Sequence, residues 1–287
     1  MFSPADLALR QAAAPLPSRA GYRLTRQLTP VLGGRKRAWI GAMVERKVID
    51  ILGDEELARR ARDRFATEIA CDDLDALTSV RWPEARRLES TELVGEQNLT
   101  KAGPTILTSF HLSGGFRIFD VLRSHGLRPV FIHVPPREAP SVYERVVWGA
   151  RSRYCAQNLV PPFVAPGPGA RDRLDAHLGS GGAVVALLDV EPSSAGLRDS
   201  AEATLFGRPL RLPLGLLRLA ARHQAPVTTY LGRIEEDRRI IELRPSVTSN
   251  DPEHLLRHVL TDCETEIRRR PWTWQSWLHV EHLFARE

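Results

Sequence analysis

The sequence predicts an α/β fold: a central, mostly parallel mixed sheet flanked by helices, with further helices on its N-terminal side. Three observations predict it. Short apolar runs alternate with segments of helical periodicity from residue 105 onward, as in parallel strands joined by helical crossovers. The residues before them carry helical stripes and no strand alternation. A chain of 287 residues with 43% hydrophobic side chains is long and apolar enough to close a sizeable core.

The elements follow in order. Pro4, Pro15, Pro17, Pro30 and Gly33-Gly34 divide the first 34 residues into short helical pieces. A helix over 35–52 sets Trp39, Ile40, Met43, Val44, Val48, Ile51 and Leu52 at helical spacing, with Arg35, Lys36, Arg37, Arg46 and Lys47 close by. Such a stripe either packs on the domain or lies in a lipid interface. A charge-rich helix over 54–77 turns Leu57, Ala61, Phe65, Ile69 and Leu74 inward. Residues 105–110 form the first buried strand, and Gly114-Gly115 turn the chain into a helix over 116–125. Strands at 129–134 and 160–165 and helices at 141–153 and 171–178 lead to the most apolar strand, 183–188. A loop over 189–211, a helix over 214–223, strands at 227–233 and 239–243 and helices over 252–270 and 272–286 complete the chain. Trp272, Trp274 and Trp277 in the last helix are expected to pack in the core. Residues 1–80 thus read as an N-terminal helical segment with a membrane-surface role, and 81–287 as the α/β domain, the two forming one structural unit.

Charge and cysteine content narrow the partners. With 40 basic and 35 acidic residues the formal net charge is +5, and only Lys36, Lys47 and Lys101 are lysines. This surplus suits an anionic membrane surface, an acidic carrier protein or a phosphate-bearing substrate. Zinc-finger spacing, an aromatic RNA-binding signature and a basic tail are all missing, so nucleic acid is not an expected partner. Cys71, Cys155 and Cys263 are few and widely spaced, which fits a reducing cytoplasm better than a disulfide framework. The start lacks the pattern of a secretory leader, and 18 apolar residues never run together. A protein that meets a membrane this way is expected to lie on it. The spacings of His254 with His258 and of His279 with His282 do not match a zinc motif, so neither metal nor cofactor is expected.

The most informative stretch is Ser109-Phe110-His111-Leu112-Ser113-Gly114-Gly115-Phe116. A histidine here leaves the end of a buried strand and is followed at once by a glycine turn into a helix. Ligands and catalytic groups of α/β sheets gather at such strand ends. Glycines admit close backbone approach, and amides at a helix start attract an oxyanion or phosphate. A histidine at this place can take a proton from an attacking hydroxyl. The second candidate site is Leu188-Asp189-Val190-Glu191, where Asp189 and Glu191 leave the apolar strand together. Paired carboxylates there can orient a histidine or bind a cation.

In order and spacing these stretches resemble the lipid A late acyltransferases of the lysophospholipid acyltransferase superfamily. His111 to Phe116 is similar to that family's block of a histidine, four residues and an acid. Gly182 to Glu191 resembles its strand ending in aspartate, one residue, then an acid or amide. Leu205-Phe206-Gly207, Leu219-Ala220 with Gln224-Ala225-Pro226-Val227, and Pro271 with Trp277-Leu278-His279 extend the likeness across roughly residues 40–285. The resemblance implies transfer of a fatty acyl group from an acyl carrier protein or coenzyme A thioester to a hydroxyl of a lipid or glycolipid. It implies His111 as general base, and a protein on the cytoplasmic side, peripheral to the inner membrane. Ser113, Gly114, Gly115, Phe116, Arg151 and Arg153 are the implied substrate-binding positions.

The chain departs from the family at Phe116, which stands where the orienting acid is expected. Asp120, nine residues after His111, is too far along the helix to replace it directly. Three readings stay open: Asp189 or Glu191 supplies the carboxylate, His111 works unassisted, or catalysis is lost and a binding protein for acyl chains or acyl carriers remains. Val280-Glu281 and His133-Val134-Pro135 are further departures, at places where the family carries basic residues.

Overall fold

The computed structural model describes residues 4–16, 18–32, 34–100, 102–132, 142–159, 163–164, 167–190 and 199–284. The chain opens with four helices, α1 (Pro4–Ala13), α2 (Ser18–Leu32), α3 (Gly34–Leu52) and α4 (Glu55–Ser79). Pro30 lies in the last turn of α2 without ending it. The Asp54 side chain caps α4 by accepting from the Leu57 amide at 2.9 Å. The apolar stripe of α3 divides between two fates. Ile40, Val44 and Val48 are buried in the main core, whereas Trp39 is 62% exposed.

The first half of α4 alternates as its pattern suggests, but the second half is buried all round. Glu68, Asp72, Asp73 and Asp75 all lie inside the protein. Their position departs from the expectation of a charged outer face, because α1, α2, the helix Val142–Asn158, the sheet and the C-terminal segment enclose this end of the helix.

A short helix α5 (Glu84–Glu89) and an edge strand β1 (Thr91–Val94) follow, neither of which the sequence signals. β1 is four residues long and half exposed, so it lacks the apolar run of the central strands. The remaining elements are β2 (Thr105–Ser109), α6 (Ile118–Ser124), β3 (Pro129–Ile132), α7 (Val142–Asn158), β4 (Phe163–Val164), α8 (Ala170–Gly179), β5 (Ala183–Leu187), β6 (Ser200–Leu205), β7 (Arg208–Pro213), α9 (Gly215–His223), β8 (Val227–Glu235), β9 (Arg238–Leu243) and α10 (Pro252–Arg269).

Seven strands form one sheet in the order β1-β9-β8-β2-β5-β3-β4. All neighbours run parallel except β8 and β9, which are antiparallel. This is the expected mixed, mostly parallel α/β sheet. Each face carries its own core. Ile106, Val184, Val227 and Leu231 pack on one side with residues of α3, α4, α9 and α10. Leu107, Val185 and Tyr230 pack on the other with Phe119 and Leu122 of α6 and Tyr154 of α7.

Two expectations fail in the last third. The expected loop over 189–211 contains a separate antiparallel hairpin, β6 with β7. Its two-residue turn, Phe206-Gly207, has φ of 55° and 79°, the left-handed pair that matches the twist of a tight hairpin. Phenylalanine there hides the turn signal, and its ring packs instead on Trp274 and Trp277, with centroids at 5.9 and 6.4 Å. The expected helix over 272–286 is a run of 3-10 turns, Pro271–Thr273, Gln275–Leu278 and Val280–His282. Trp274 is extended there because it pairs with Leu112 in an antiparallel bridge. The three tryptophans are buried as expected, by tertiary packing and not by a helical face.

No described helix is long and apolar enough to cross a membrane. Among the described residues no group of three His, Cys, Asp or Glu side chains is placed to hold a metal ion.

Candidate active site

The register of the two central strands places the site. β2 and β5 are parallel neighbours with Ser109 opposite Leu187. His111 and Asp189 each lie two residues beyond that pair, so both leave the sheet at the same end, side by side. The Leu188 amide still donates to the Ser109 carbonyl at 2.9 Å, keeping the strands together as they exit.

Asp189 Oδ1 lies 2.8 Å from His111 Nδ1 and 2.8 Å from the His111 amide nitrogen. Its other oxygen accepts from Trp274 Nε1 at 2.8 Å and from Ser276 Oγ at 2.6 Å. The Asp189 side chain is fully buried, while that of His111 is 38% exposed. A carboxylate only accepts hydrogen bonds, so Nδ1 carries the proton and Nε2 presents a lone pair to the open side. Burial alone would lower the His111 pKa, but the Asp189 charge and hydrogen bond outweigh it and hold it above the ordinary histidine value. Burial likewise pushes Asp189 upward, but the imidazole and the surrounding donors reverse this and keep it below the usual carboxylate range. The pair therefore combines an ionised acid with a histidine of raised basicity.

The loop after His111 is held closely. The Ser113 amide donates to the Thr273 carbonyl at 3.0 Å and the Gln275 amide to the His111 carbonyl at 2.8 Å. Gly114 has φ +81°, and a Cβ there would sit 2.5 Å from Arg239 Cδ. Across the sheet, a Cβ on Gly232 would fall 1.9 Å from the Ser113 carbonyl oxygen. Glycine at both positions lets the loop lie against β8 and β9. The Gly114 amide is occupied, since it donates to Asp72 Oδ1 at 2.8 Å. It is therefore not the free oxyanion donor expected there. The amides of Gly115 and Phe116 have no acceptor among the described residues.

His111 borders two cavities. One of about 760 Å³ is mostly apolar, with Ile132, Trp148, Leu174, Leu188 and Leu219 in its wall and Arg171, Arg218 and Asp199 as its charged groups. The other, of about 60 Å³, is lined by Gly114, Gly115, Phe116, Arg151, Tyr230 and Gln275, among others. The Phe116 ring belongs to an aromatic cluster with Phe119, Phe131 and Tyr154, at centroid distances of 5.7–6.2 Å. The Arg151 guanidinium lies 5.3 Å from the Phe116 ring centroid and 3.6 Å from Asp73.

The structure thus brings His111, Asp189, Gly115, Phe116 and Arg151 together. Ser113 is fully buried beneath the loop and lines neither cavity, so a substrate contact is not its place. Arg153 is exposed on α7 and lines neither cavity. Glu191, like His133, lies outside the described residues. Asp120 is taken up elsewhere, paired with Arg87 at 2.7 Å. Sequence reasoning missed Trp274 and Ser276 as partners of Asp189, and Asp72 and Gln275 behind the loop. The tryptophans read as packing residues, and all three are buried. Only the tertiary contact reveals that one indole N–H is aimed at a carboxylate.

Fold and site together define an α/β protein with a histidine–aspartate pair at the ends of adjacent parallel strands, opening on an apolar cavity. No family model and no curated protein matches the chain. Among solved structures it is similar to the 1-acyl-sn-glycerophosphate acyltransferase PlsC from Thermotoga maritima. The identity is 14% and the TM-score 0.35, over 81% of this chain and 98% of that one.

Proposed function

We propose that the protein is an O-acyltransferase that moves a fatty acyl group from a thioester to a hydroxyl of a lipid or glycolipid. The observation that carries this reading is the His111–Asp189 pair, with Nδ1 and Oδ1 2.8 Å apart, opening on a largely apolar cavity of about 760 Å³. Sequence resemblance to the lipid A late acyltransferases points the same way.

The chemistry follows from the groups present. His111 Nε2 removes the proton of the acceptor hydroxyl as its oxygen attacks the thioester carbonyl carbon. Asp189 fixes the ring and stabilises the imidazolium that forms. The Gly115 and Phe116 amides donate to the developing oxyanion, an interaction worth about 3–4 kcal/mol per donor in related acyl transfers. On collapse the C–S bond breaks, and the imidazolium returns its proton to the leaving thiolate. The acyl chain occupies the apolar cavity, and Arg151, which shares the smaller cavity with His111 and acts on its charge, supplies a cation on the polar side. The donor is an acyl carrier protein or coenzyme A thioester. Exposed Trp39, 62%, and Val31, 73%, on neighbouring helices rich in arginine suit a membrane surface, on the cytoplasmic side of an inner membrane.

The test is thiol release from palmitoyl-coenzyme A and palmitoyl-acyl carrier protein, by wild type and His111→Ala, with and without a polar lipid extract. Release that needs both lipid and His111 is the expected result. Release that His111→Ala retains at the wild-type rate overturns the assignment of the base. Release without lipid product indicates hydrolysis, and binding of either thioester without release indicates a binding protein.

A further inference from the structure

Behind the His111 loop lies an acid that the mechanism above does not use. Asp72, on the buried end of α4, is 7% exposed and has three partners on three different elements. It accepts from the Gly114 amide at 2.8 Å and from Arg239 Nη2 of β9 at 2.8 Å. Its second oxygen accepts from Gln275 Nε2. Gln275 in turn holds the His111 carbonyl through its own amide. One carboxylate therefore grips the loop directly, three residues after His111, and indirectly at His111 itself. Gly114 is at φ +81°, a conformation that needs its amide fixed if the next two amides are to keep one direction. A charged acceptor on an amide makes a stronger bond than a neutral one.

We propose that Asp72 is a positioning residue of the acyl-transfer site: it clamps the Gly114 amide and Gln275, and so aims the Gly115 and Phe116 amides at the oxyanion beside His111. This rests on the acyl-transfer reading for its chemical consequence, but the clamp itself is a property of the loop.

The surroundings make the clamp sensitive to charge. Burial, set against Arg239, brings Asp72 to a pKa of about 7. Asp75 and Glu68 from its own helix raise it, and Arg151 from α7 lowers it. The C-terminal segment presents the neutral Gln275. Above that pH Asp72 holds Gly114 as an anion, and below it the acceptor is neutral and the grip weakens.

The experiment pairs kinetics with a probe of the loop. Asp72→Asn, Asp72→Ala and Gln275→Ala are compared with wild type for thiol release from palmitoyl-coenzyme A in the presence of polar lipid extract. In parallel the Gly114 amide is followed by NMR in [15N]glycine-labelled protein, where the other glycine signals report folding. The expected result is a fall in kcat of about 10²-fold for the Asp72 variants, the scale of a lost oxyanion donor, with KM within about twofold of wild type. The Gly114 amide proton shifts upfield in both Asp72 variants, and in wild type it titrates with a midpoint of about 7. Wild-type kcat in folded Asp72→Asn, or an unmoved Gly114 amide, overturns the proposal. If wild type itself releases no thiol, the acyl-transfer reading fails, while the Gly114 resonance still decides whether the clamp exists.

Discussion

Asp189, beyond the end of β5, and Asp120, within α6, are both buried acids, yet their partners differ in kind. Asp120 faces fixed cations: Arg87 at 2.7 Å and Arg117 at 3.5 Å, with the Tyr154 hydroxyl at 2.8 Å. Asp189 is surrounded by the His111 amide, the Trp274 indole and the Ser276 hydroxyl, none of them charged, and by one imidazole. Among the described residues no guanidinium is bonded to it. The charge of Asp120 is thus spent on its arginines, whereas that of Asp189 is left for a proton arriving on His111. What separates the two buried carboxylates is whether the counter-charge beside them is permanent or comes and goes with a proton.

The sharpest way to break this comparison is to neutralise each acid in turn. Asp189→Asn should lower thiol release per folded molecule by on the order of 10⁴, the loss seen when a triad carboxylate is amidated, with the smaller effect on urea unfolding, about 1.5–3 kcal/mol, as its donors lose a charged acceptor. Asp120→Asn should do the reverse. It leaves Arg87 buried without its anion, while Arg117 keeps Asp75 at 3.2 Å, and should cost about 3–5 kcal/mol in urea unfolding, with near wild-type activity per folded molecule. Equal losses of activity in both variants would erase the distinction.

The pH profile sharpens it further. His111 must be neutral to act as a base, and its pKa lies above the ordinary value because the Asp189 charge and hydrogen bond overcome the effect of burial. The rate should therefore be lost as pH falls through a midpoint above that of free histidine. In Asp189→Asn the charge is gone and burial remains, so the midpoint of the residual activity should move to lower pH. A midpoint that stays in place, distinct from the titration of Asp72 at about 7, would show that Asp189 does not set the basicity of His111.

Trp274→Phe probes the support one step further out. It keeps an aromatic ring against Trp277 and Phe206 but removes the Nε1–H donor to Asp189. A lost hydrogen bond to a charged group costs about 1.5–3 kcal/mol, which urea unfolding should register together with a smaller fall in kcat than Asp189→Asn gives. At the low end, Arg153→Ala removes an exposed side chain outside both cavities and should change stability by less than about 0.5 kcal/mol. A large rise in KM for the acyl donor in that variant would restore Arg153 to the site.

Much of the fold can be read in the sequence because central parallel strands are buried on both faces and leave continuous apolar runs. β2 and β5 stand out for this reason, and His111 and Asp189 stand out because each follows such a run. β1 and the hairpin β6–β7 escape notice because they are edge or surface strands with mixed polarity, and Phe206 occupies a turn position usually marked by glycine or asparagine. The buried acids of α4 escape notice too, since a helix rich in Asp and Glu normally faces water. Their burial depends on Arg117 and Arg239, which come from 42 and 167 residues away.

By itself the sequence determined the α/β class, the two strand ends at which His111 and Asp189 sit and the absence of an acid at Phe116. Local composition settles these, because burial and turn geometry act on neighbours in the chain. Which carboxylate serves His111 was decided by strand order alone. Only when β5 lies beside β2, with Leu187 opposite Ser109, does Asp189 come within 2.8 Å of the imidazole. Pairing between strands 78 residues apart is a property of the folded sheet, which no local pattern encodes.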